Sequence, residues 1–223
     1  MFRKMKKELH NLYYVTEQEH FLSETTLANG HRIRWNSGEI VLPNDGIFYI
    51  SSGTVRIASI LENGQRKTLM LAGRGHFLHE VAFFHKKAGD TEISALGSVL
   101  CHFFSANVIS RLLSDDTDFR NAILFSMAAK LSTQTIDLLL TDYSGALRLF
   151  YLLRAMANHS SMFFTIPLDI PITQSELADC LGMHRVSVNR LLKDLERHRL
   201  IRCSRGKITL LSMDFWKKTS GIR

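Results

Sequence analysis

Three side chains near the carboxyl-terminal end of the chain could form paired hydrogen bonds with nucleic-acid bases: Arg185, Asn189 and Arg190. In the major groove of DNA, arginine can contact guanine through two hydrogen bonds, and asparagine can contact adenine in the same way. The spacing of these residues places them on or near the outer face of one predicted helix, which begins at about His184. This pattern favours base recognition by that helix.

The signals of a shorter helix and a tight turn precede the predicted recognition helix. Thr173 and Glu176 form a capping box, in which each side chain can bind a backbone amide at the start of a helix. Gly182 follows where the chain must turn sharply, which suits a residue without a Cβ atom. These features predict a helix-turn-helix, and the alternative is an ordinary helical hairpin with solvated charges. The inner face of the second helix would be formed by Val188, Leu191, Leu192 and Leu195.

The positive charge of the chain is concentrated in its last third. The chain of 223 residues has 28 lysine and arginine residues against 21 acidic residues, a formal net charge of +7. Residues 1–142 carry 15 basic and 15 acidic side chains, and residues 143–223 carry 13 basic and 6 acidic ones. The whole excess therefore lies on the segment that contains the helix-turn-helix, as binding to DNA phosphates requires.

A short hairpin is predicted after the second helix. Residues 200–211 have the pattern of two short strands, with a turn at Ser204–Lys207. Such a hairpin is typical of a wing that lies beside a recognition helix. Its basic tip would contact backbone phosphates, which position a protein on DNA without specifying the sequence.

The composition excludes several other classes of protein. No segment has the roughly 20 apolar residues needed to span a bilayer, and the basic amino terminus lacks the apolar core of a signal peptide. Cys101, Cys180 and Cys203 are widely spaced, so neither a disulfide framework nor a structural zinc site is expected. No catalytic motif is present, so we do not expect an enzyme. Because no segment is apolar enough to span a bilayer and no signal peptide is evident, we expect a cytoplasmic protein and not a membrane protein.

From about Asn29 to Phe104 the sequence has the pattern of short strands separated by glycine-containing turns, which predicts an antiparallel sandwich or barrel. The predicted strands lie near residues 40–42, 47–50, 54–58, 68–71 and 99–103.

A long helix is predicted from about Thr117 to Leu140. One row of its residues repeats at spacings of 3, 4, 3 and 4, which is typical of a coiled-coil seam for a partner helix. The alternative is that the whole apolar surface is buried within one chain. The seam consists of Leu124, Met127, Leu131, Gln134 and Leu138.

A hinge is predicted where the long helix ends, between Asp142 and Gly145, and a further helix is predicted from Ala146 to Met156. These elements divide the chain into a β domain with an amino-terminal helical arm at residues 1–114, a dimerisation helix at 115–142, and a DNA-binding domain at 143–223.

This order of elements resembles the Crp/Fnr family of bacterial transcription regulators, from about Gly38 to Leu211. The most specific part is the motif at residues 173–192, and the segment at 142–145 resembles the hinge of the family. The resemblance implies an α+β fold with an antiparallel β roll, which is cupin-like and similar to cyclic-nucleotide-binding domains, a long dimerisation helix and a carboxyl-terminal winged helix-turn-helix. It also implies a homodimer on a near-palindromic double-stranded DNA site, and contact with RNA polymerase if the protein is an activator.

The sequence departs from the family pattern at the phosphate clamp of cyclic-nucleotide-binding members, which consists of a Gly-Glu pair followed by an arginine. Glu80 is in place, but His79 stands at the glycine position and Asp90 at the arginine position. Because Asp90 would repel a phosphate, we expect a small effector other than a cyclic nucleotide. The three scattered cysteines also disfavour the four-cysteine iron–sulfur cluster of the family's oxygen sensors.

The effector pocket is predicted to be apolar with a few polar groups, and no cofactor is expected. Two alternatives remain: a haem or metal sensor that uses His76, His79 or His85, which are otherwise surface and loop histidines, and a constitutive regulator with a purely structural barrel. The predicted pocket residues are Trp35, Phe77, His79, Glu80, Phe83 and Phe84.

Within the resemblance, specific roles follow for the DNA-binding residues. Val186 replaces an acidic residue with which many members contact cytosine, so it would offer an apolar contact, such as one to a thymine methyl group. Base contacts are predicted for Arg185, Val186, Asn189 and Arg190. Phosphate contacts are predicted for Thr173, Gln174, Ser187, Arg205 and Lys207.

Overall fold

The structure is a computed structural model that describes residues 15, 20–42, 45–60, 62, 64, 66–86, 91–160, 167–170 and 172–212. The amino-terminal arm and Asp90 lie outside the described residues, and so does most of a short strand that the sequence also predicts near residues 163–167.

The first part of the chain forms an antiparallel β roll, as predicted. The elements in chain order are α1 (Glu24–Leu27), β1 (His31–Trp35), β2 (Ile40–Val41), β3 (Gly46–Ser52), β4 (Val55–Ile60), β5 (Arg66–Ala72), β6 (Phe77–Leu78), α2 (Glu80–His85), β7 (Thr91–Ala95) and β8 (Val99–Ser105). The strands form two four-stranded sheets with the orders β1-β8-β3-β6 and β2-β7-β4-β5.

All five individually predicted strands of the roll are confirmed, whereas β1, β6 and β7 had not been predicted individually. Each of these three strands is bound to a strand that was predicted: β1 and β6 lie on either side of the β8–β3 pair, and β7 lies between β2 and β4. Their own sequences carry a weak signal because they are short or rich in polar residues. Pairing with neighbours, rather than local propensity, fixes them as strands.

Gly46 lies where a predicted turn meets a strand. The sequence Asn44-Asp45-Gly46 is typical of a turn between two strands, and Gly46 is also the first residue of β3, where it pairs with Ser105. A Cβ atom at this position would lie 2.2 Å from the carbonyl oxygen of Phe104. Glycine is therefore required here by the close approach of the neighbouring strand.

Two helices follow the roll: α3 (Ala106–Asp115) and α4 (Thr117–Leu140). The predicted start of the long helix is confirmed, and the Asp116 carboxylate caps it by accepting a hydrogen bond from the amide of Phe119 at 2.9 Å. No helix had been predicted for residues 106–115. Ile109 and Leu112 of α3 are buried in a cluster with Phe104 and Phe119, so tertiary packing supports this helix.

The last part of the chain consists of α5 (Gly145–Ser160), β9 (Leu168–Ile170), α6 (Gln174–Leu181), α7 (Arg185–Arg197), β10 (Ile201–Ser204) and β11 (Lys207–Leu210). The three strands form a sheet in the order β10-β11-β9. The helices and this sheet share one apolar core, in which Leu149, Leu177 and Val188 are fully buried. The predicted helix-turn-helix and wing are thus confirmed as secondary structure.

The predicted hinge requires one correction. The break between α4 and α5 covers residues 141–144, and Gly145 is already the first residue of α5. A Cβ atom on Gly145 would lie 2.7 Å from the terminal methyl carbon of Met183. The glycine therefore permits close packing at the start of α5, and the hinge itself stays a prediction.

The chain divides into two compact units, one formed by Val15–Gly64 and Leu69–Gln134 and the other mainly by residues from Thr135 onward. This division falls inside α4, whereas the predicted boundaries lie at either end of that helix. Within the described part of the chain, α4 is also the one helix that is long and apolar enough to cross a membrane, judged by its length and composition alone.

Candidate DNA-recognition helix and effector cavity

The helix-turn-helix is held by its caps. The Thr173 hydroxyl accepts a hydrogen bond from the Glu176 amide at 3.1 Å, and the Glu176 carboxylate accepts one from the Thr173 amide at 2.7 Å. At the other end of α6, Gly182 adopts the left-handed conformation with φ of 59°. The Arg148 guanidinium donates to the carbonyl oxygen of Leu181. Both ends of the short helix are thereby satisfied, which fixes the start of α7.

The recognition helix α7 separates an apolar inner face from a polar outer face. Val188 and Leu192 are buried against α5 and α6. On the outside, Arg185 and Arg190 are exposed, and Val186 is 81% exposed. Of the four predicted base-contacting residues, Asn189 alone is half-buried. The first turn of α7 has no acidic residue, so its positive helix end is available to an anionic partner.

The wing presents its basic tip at a tight turn. Gly206 has φ of 76°, and the exposed Arg205 precedes it between β10 and β11. Lys207, by contrast, forms an ion pair with Asp169 of β9. Hydrogen bonds from Lys207 and from the Thr209 hydroxyl hold the pKa of the Asp169 carboxyl below its usual value. A phosphate contact by Lys207 would therefore have to compete with Asp169, which the sequence pattern did not reveal.

The remaining predicted phosphate contacts differ in their accessibility. Ser187 is exposed on the first turn of α7, and Gln174 is half-buried. The backbone amide of Thr173 is already engaged in the capping box. Arg202 had not been predicted, yet it is exposed on β10 and paired with Thr209 of β11. In the sequence, Arg202 stands between the apolar residues Ile201 and Cys203 of the predicted strand, and this alternation could have predicted an arginine on the outer face of the wing.

A cavity of about 610 Å³ lies within the β-roll unit, between the strands of one sheet, helix α2 and helix α4. This volume is in the range of small-molecule sites, roughly 300–1,000 Å³. Most of the wall is aliphatic or methionine. The lining residues are Ile57, Leu69, Met70, His79, Glu80, Val81, Ala82, His85, Thr91, Ile93, Met127, Ala128, Lys130, Leu131 and Gln134.

A buried ion pair connects the two helices that line the cavity. Lys130 of α4 donates to Glu80 of α2 and to the carbonyl oxygen of Phe77. Both charged side chains are almost fully buried. Removing one partner from such a pair costs about 3–5 kcal/mol, because the other charge is left buried without compensation. Lys130 was missed by the sequence analysis, although it is the one charged residue between Arg120 and Asp137.

The predicted aromatic lining of the pocket is corrected by the structure, since only His79 and Glu80 of the six predicted residues line the cavity. Trp35 is buried in the core of the roll against Phe48. Phe77 is fully buried and packs on Phe119. Phe83 packs at the edge of the same core, and Phe84 is 41% exposed. The aromatic side chains thus fill the core or lie at the surface.

His79 has an unusual backbone conformation. Its φ of 66° lies in the left-handed region, which disfavours a residue with a Cβ atom. The imidazole ring lies 5.7 Å from the ring of Phe48, measured between centroids. Burial is the main cause that lowers the pKa of His79, with a smaller and opposite effect of Glu80.

The other groups considered for sensing have different environments. His85 lines the cavity, whereas His76 is buried and does not line it. Among the described residues, no group of three or more His, Cys, Asp or Glu side chains could hold a metal ion. Burial raises the pKa of the Cys101 thiol, and burial together with Glu196 raises the pKa of Cys203 to about 11. A raised pKa leaves these thiols protonated and poorly reactive.

The predicted seam on α4 is largely exposed in the single chain. Leu124, Leu131 and Leu138 are 64%, 66% and 69% exposed. Met127 is half-buried, Gln134 is exposed, and both line the cavity. The alternative prediction was that a single chain buries the whole apolar surface of α4. This prediction is wrong for these three leucines, which a single chain leaves exposed.

Comparison with protein families gives matches to both units. Residues 38–116 match the cyclic nucleotide-binding domain, and residues 147–215 match the Crp-like helix-turn-helix domain. The chain belongs to the Crp/Fnr family. This membership and the observed elements confirm the predicted α+β fold and the resemblance on which it was based. Crp/Fnr proteins are DNA-binding transcription regulators, not enzymes.

Two curated relatives show the extent of the similarity within the Crp/Fnr family. A CRP-like cAMP-activated global transcriptional regulator of Mycobacterium tuberculosis is 24% identical over 196 residues, which cover 86% of this chain and 84% of the relative. The nitrogen fixation regulation protein FixK of Bradyrhizobium diazoefficiens is 28% identical over 195 residues, covering 82% and 78% of the two chains.

Solved structures of family members share the fold. The c-di-GMP responsive global regulator CLP of Xanthomonas campestris superposes with a TM-score of 0.76 at 20% identity, covering 85% of this chain and 98% of that one. TTHA1359, a Crp/Fnr-family transcriptional regulator of Thermus thermophilus, superposes with a TM-score of 0.72 at 19% identity, covering 84% and 96%.

The left-handed backbone of His79 should affect the stability of the protein. We expect His79→Gly to be more stable than His79→Ala by about 1 kcal/mol, because both variants lose the imidazole but only glycine tolerates the left-handed conformation. Chemical denaturation of both variants measures this difference in the free energy of unfolding. Equal stability of the two would mean that His79 does not adopt a left-handed conformation.

Proposed function

We propose that the protein is a homodimeric, sequence-specific transcription regulator controlled by a small effector other than a cyclic nucleotide. The main support for DNA recognition is the polar, exposed outer face of α7. Arg185, Val186 and Arg190 are exposed there, while Val188 and Leu192 anchor the inner face. Each α7 helix of a dimer would enter the major groove at one half of a near-palindromic site, with RNA polymerase as a further partner if the protein activates.

The chemistry of the cavity supports an effector other than a cyclic nucleotide. A cyclic nucleotide phosphate needs a cation and close access to the backbone. His79 carries a side chain at the glycine position of the family clamp, and Lys130 is already bound to Glu80. The arginine position of the clamp corresponds to Asp90, which lies outside the described residues. The relative in Mycobacterium tuberculosis is named as cAMP-activated, and we propose that this chain differs from it.

The exposed seam of α4 supports a homodimer in the cytoplasm over insertion into a membrane. Leucines at regular coiled-coil spacing need an apolar partner, which a second copy of α4 supplies. In a bilayer, the ionisable groups of Arg120, Lys130 and Asp137 on the same helix would be costly. Glu80 already pairs with Lys130 inside the chain, as expected for a helix that packs on protein.

The long helix offers a route for control. Leu131 belongs to the seam and also lines the cavity, so a ligand that contacts it can change how two α4 helices pack. We propose that this change reorients the DNA-binding domains about the break at residues 141–144. Such coupling is allosteric, because the ligand would bind the two arrangements of the dimer with different affinities.

Two arginines are expected to contribute to DNA binding in different ways. Arg190→Ala should cost about 1–3 kcal/mol on the preferred site and relax the preference at one base pair, whereas Arg205→Ala should weaken binding to all sequences alike. Competition binding on a selected site and its single-base variants, at several salt concentrations, measures both effects. An equal loss on all sequences for Arg190→Ala would contradict its role in base recognition.

Val186 is expected to contact a thymine methyl group. On a site selected from random DNA, replacing one thymine of each half-site by deoxyuridine should weaken the wild-type complex by roughly 0.8 kcal/mol for each lost methyl group, and so by roughly 1.6 kcal/mol for the dimer. Val186→Ala should reduce this difference, because alanine keeps only one methyl group, and Ser187→Ala, the neighbouring control, should keep it in full. A methyl effect that is undiminished in Val186→Ala at every thymine would contradict the contact.

The seam residues are expected to hold the dimer. Leu124→Asp and Leu138→Asp should shift the protein to monomers, because each places a charge in an apolar interface. Leu42→Asp is the matched control, since Leu42 is equally apolar and 73% exposed but lies outside α4. Sedimentation equilibrium measures the masses. Dimers that survive both seam substitutions would show that another surface joins the two chains.

A further inference from the structure

We propose that the cavity selects an uncharged, mainly apolar molecule that carries a hydrogen-bond donor, such as an alcohol or a phenol, with Glu80 as the acceptor. This inference rests on the proposed function, in which the cavity is the effector site, and it names the chemical class of the effector.

The wall of the cavity supports the apolar part of this assignment. Nine of the 15 lining residues are aliphatic or methionine, and they come from the strands as well as from both helices. No aromatic ring of Phe, Tyr or Trp is among these described lining residues. A ligand therefore gains binding free energy mainly by removing its own apolar surface from water.

The charges of the cavity support the uncharged part. Glu80 and Lys130 compensate each other at close range, and both are buried. An anion would have to take Lys130 away from Glu80, or lie beside the Glu80 carboxylate. A cation would have to take Glu80 away from Lys130. Either exchange leaves one buried charge without its partner, and a neutral ligand avoids this cost.

Other polar groups of the described lining do not create a strong excess of charge. Burial lowers the pKa of His79, so its imidazole is neutral at neutral pH. Gln134 and Thr91 are uncharged, and His85 is exposed at the cavity. Glu80 retains acceptor capacity, because a carboxylate has about four acceptor positions and Lys130 binds one of its oxygens. A ligand hydroxyl can donate there without separating the ion pair.

The test compares ligands that share a skeleton and differ in charge. Binding of 1-octanol, octanoate and octylammonium to the full-length protein is measured by calorimetry at neutral pH, together with 4-ethylphenol, 4-ethylbenzoate and 4-ethylbenzylammonium. In at least one series the neutral member should bind about tenfold or more tightly than either ion. Tighter binding of the carboxylate or of the ammonium ion would overturn the proposal.

Variants of Lys130 and Glu80 test whether this ion pair causes the preference for an uncharged ligand. Lys130→Met should shift the preference towards the ammonium ligand, and Glu80→Gln should shift it towards the carboxylate. The double variant carrying both substitutions should return to the neutral ligand, since its cavity again has no net charge. Arg197→Met, which breaks the exposed pair with Asp194, is the control and should leave the preference unchanged. Unchanged selectivity in folded single variants would overturn the assignment to this pair.

The same samples separate this proposal from the proposed function. DNA binding is measured with and without each ligand by fluorescence anisotropy. If an anionic ligand binds and alters DNA affinity, the effector-controlled regulator stands and the assignment of an uncharged ligand fails. If the protein binds DNA and no ligand of either series binds, the uncharged class is overturned while DNA recognition by α7 stands. Absence of specific DNA binding by the wild-type protein would instead contradict the proposed function.

Discussion

The buried pair of Lys130 and Glu80 is the interaction on which the sensing part of the structure depends. It joins α4 to α2, and Lys130 also donates to the carbonyl oxygen of Phe77, the first residue of β6. The two charges are stable in a dry environment only because they compensate each other. This constraint fixes the position of α2 on the long helix and leaves a cavity with apolar walls and no strong excess of charge.

Helix α4 has to satisfy two demands that act on different faces. Phe119, Ile123 and Leu140 are buried in the chain's own cores, while Leu124 and Leu138 remain exposed. A helix that is apolar around much of its circumference must be covered on more than one side. This explains why its composition alone resembles that of a membrane span, although its buried lysine and aspartate fit a helix packed against protein.

In the DNA-binding unit, interactions between near neighbours in the sequence determine most of the recognition surface. The capping box at Thr173 and the left-handed Gly182 fix α6 through hydrogen bonds between near neighbours in the sequence. Val188 and Leu192 then determine which face of α7 is outside. Because these signals are short-range, the exposed positions of Arg185 and Arg190 follow directly from the amino-acid sequence.

The sequence by itself determined the strand-rich first half, the long helix, the helix-turn-helix and the wing, because periodicity and caps act over a few residues. Only the tertiary structure decided the cavity. Trp35 and Phe77 pack into cores, and the partner of Glu80 is Lys130, 50 residues away. The need for a glycine at Gly46 likewise comes from the backbone of Phe104. These outcomes depend on contacts between distant segments, which no local pattern encodes.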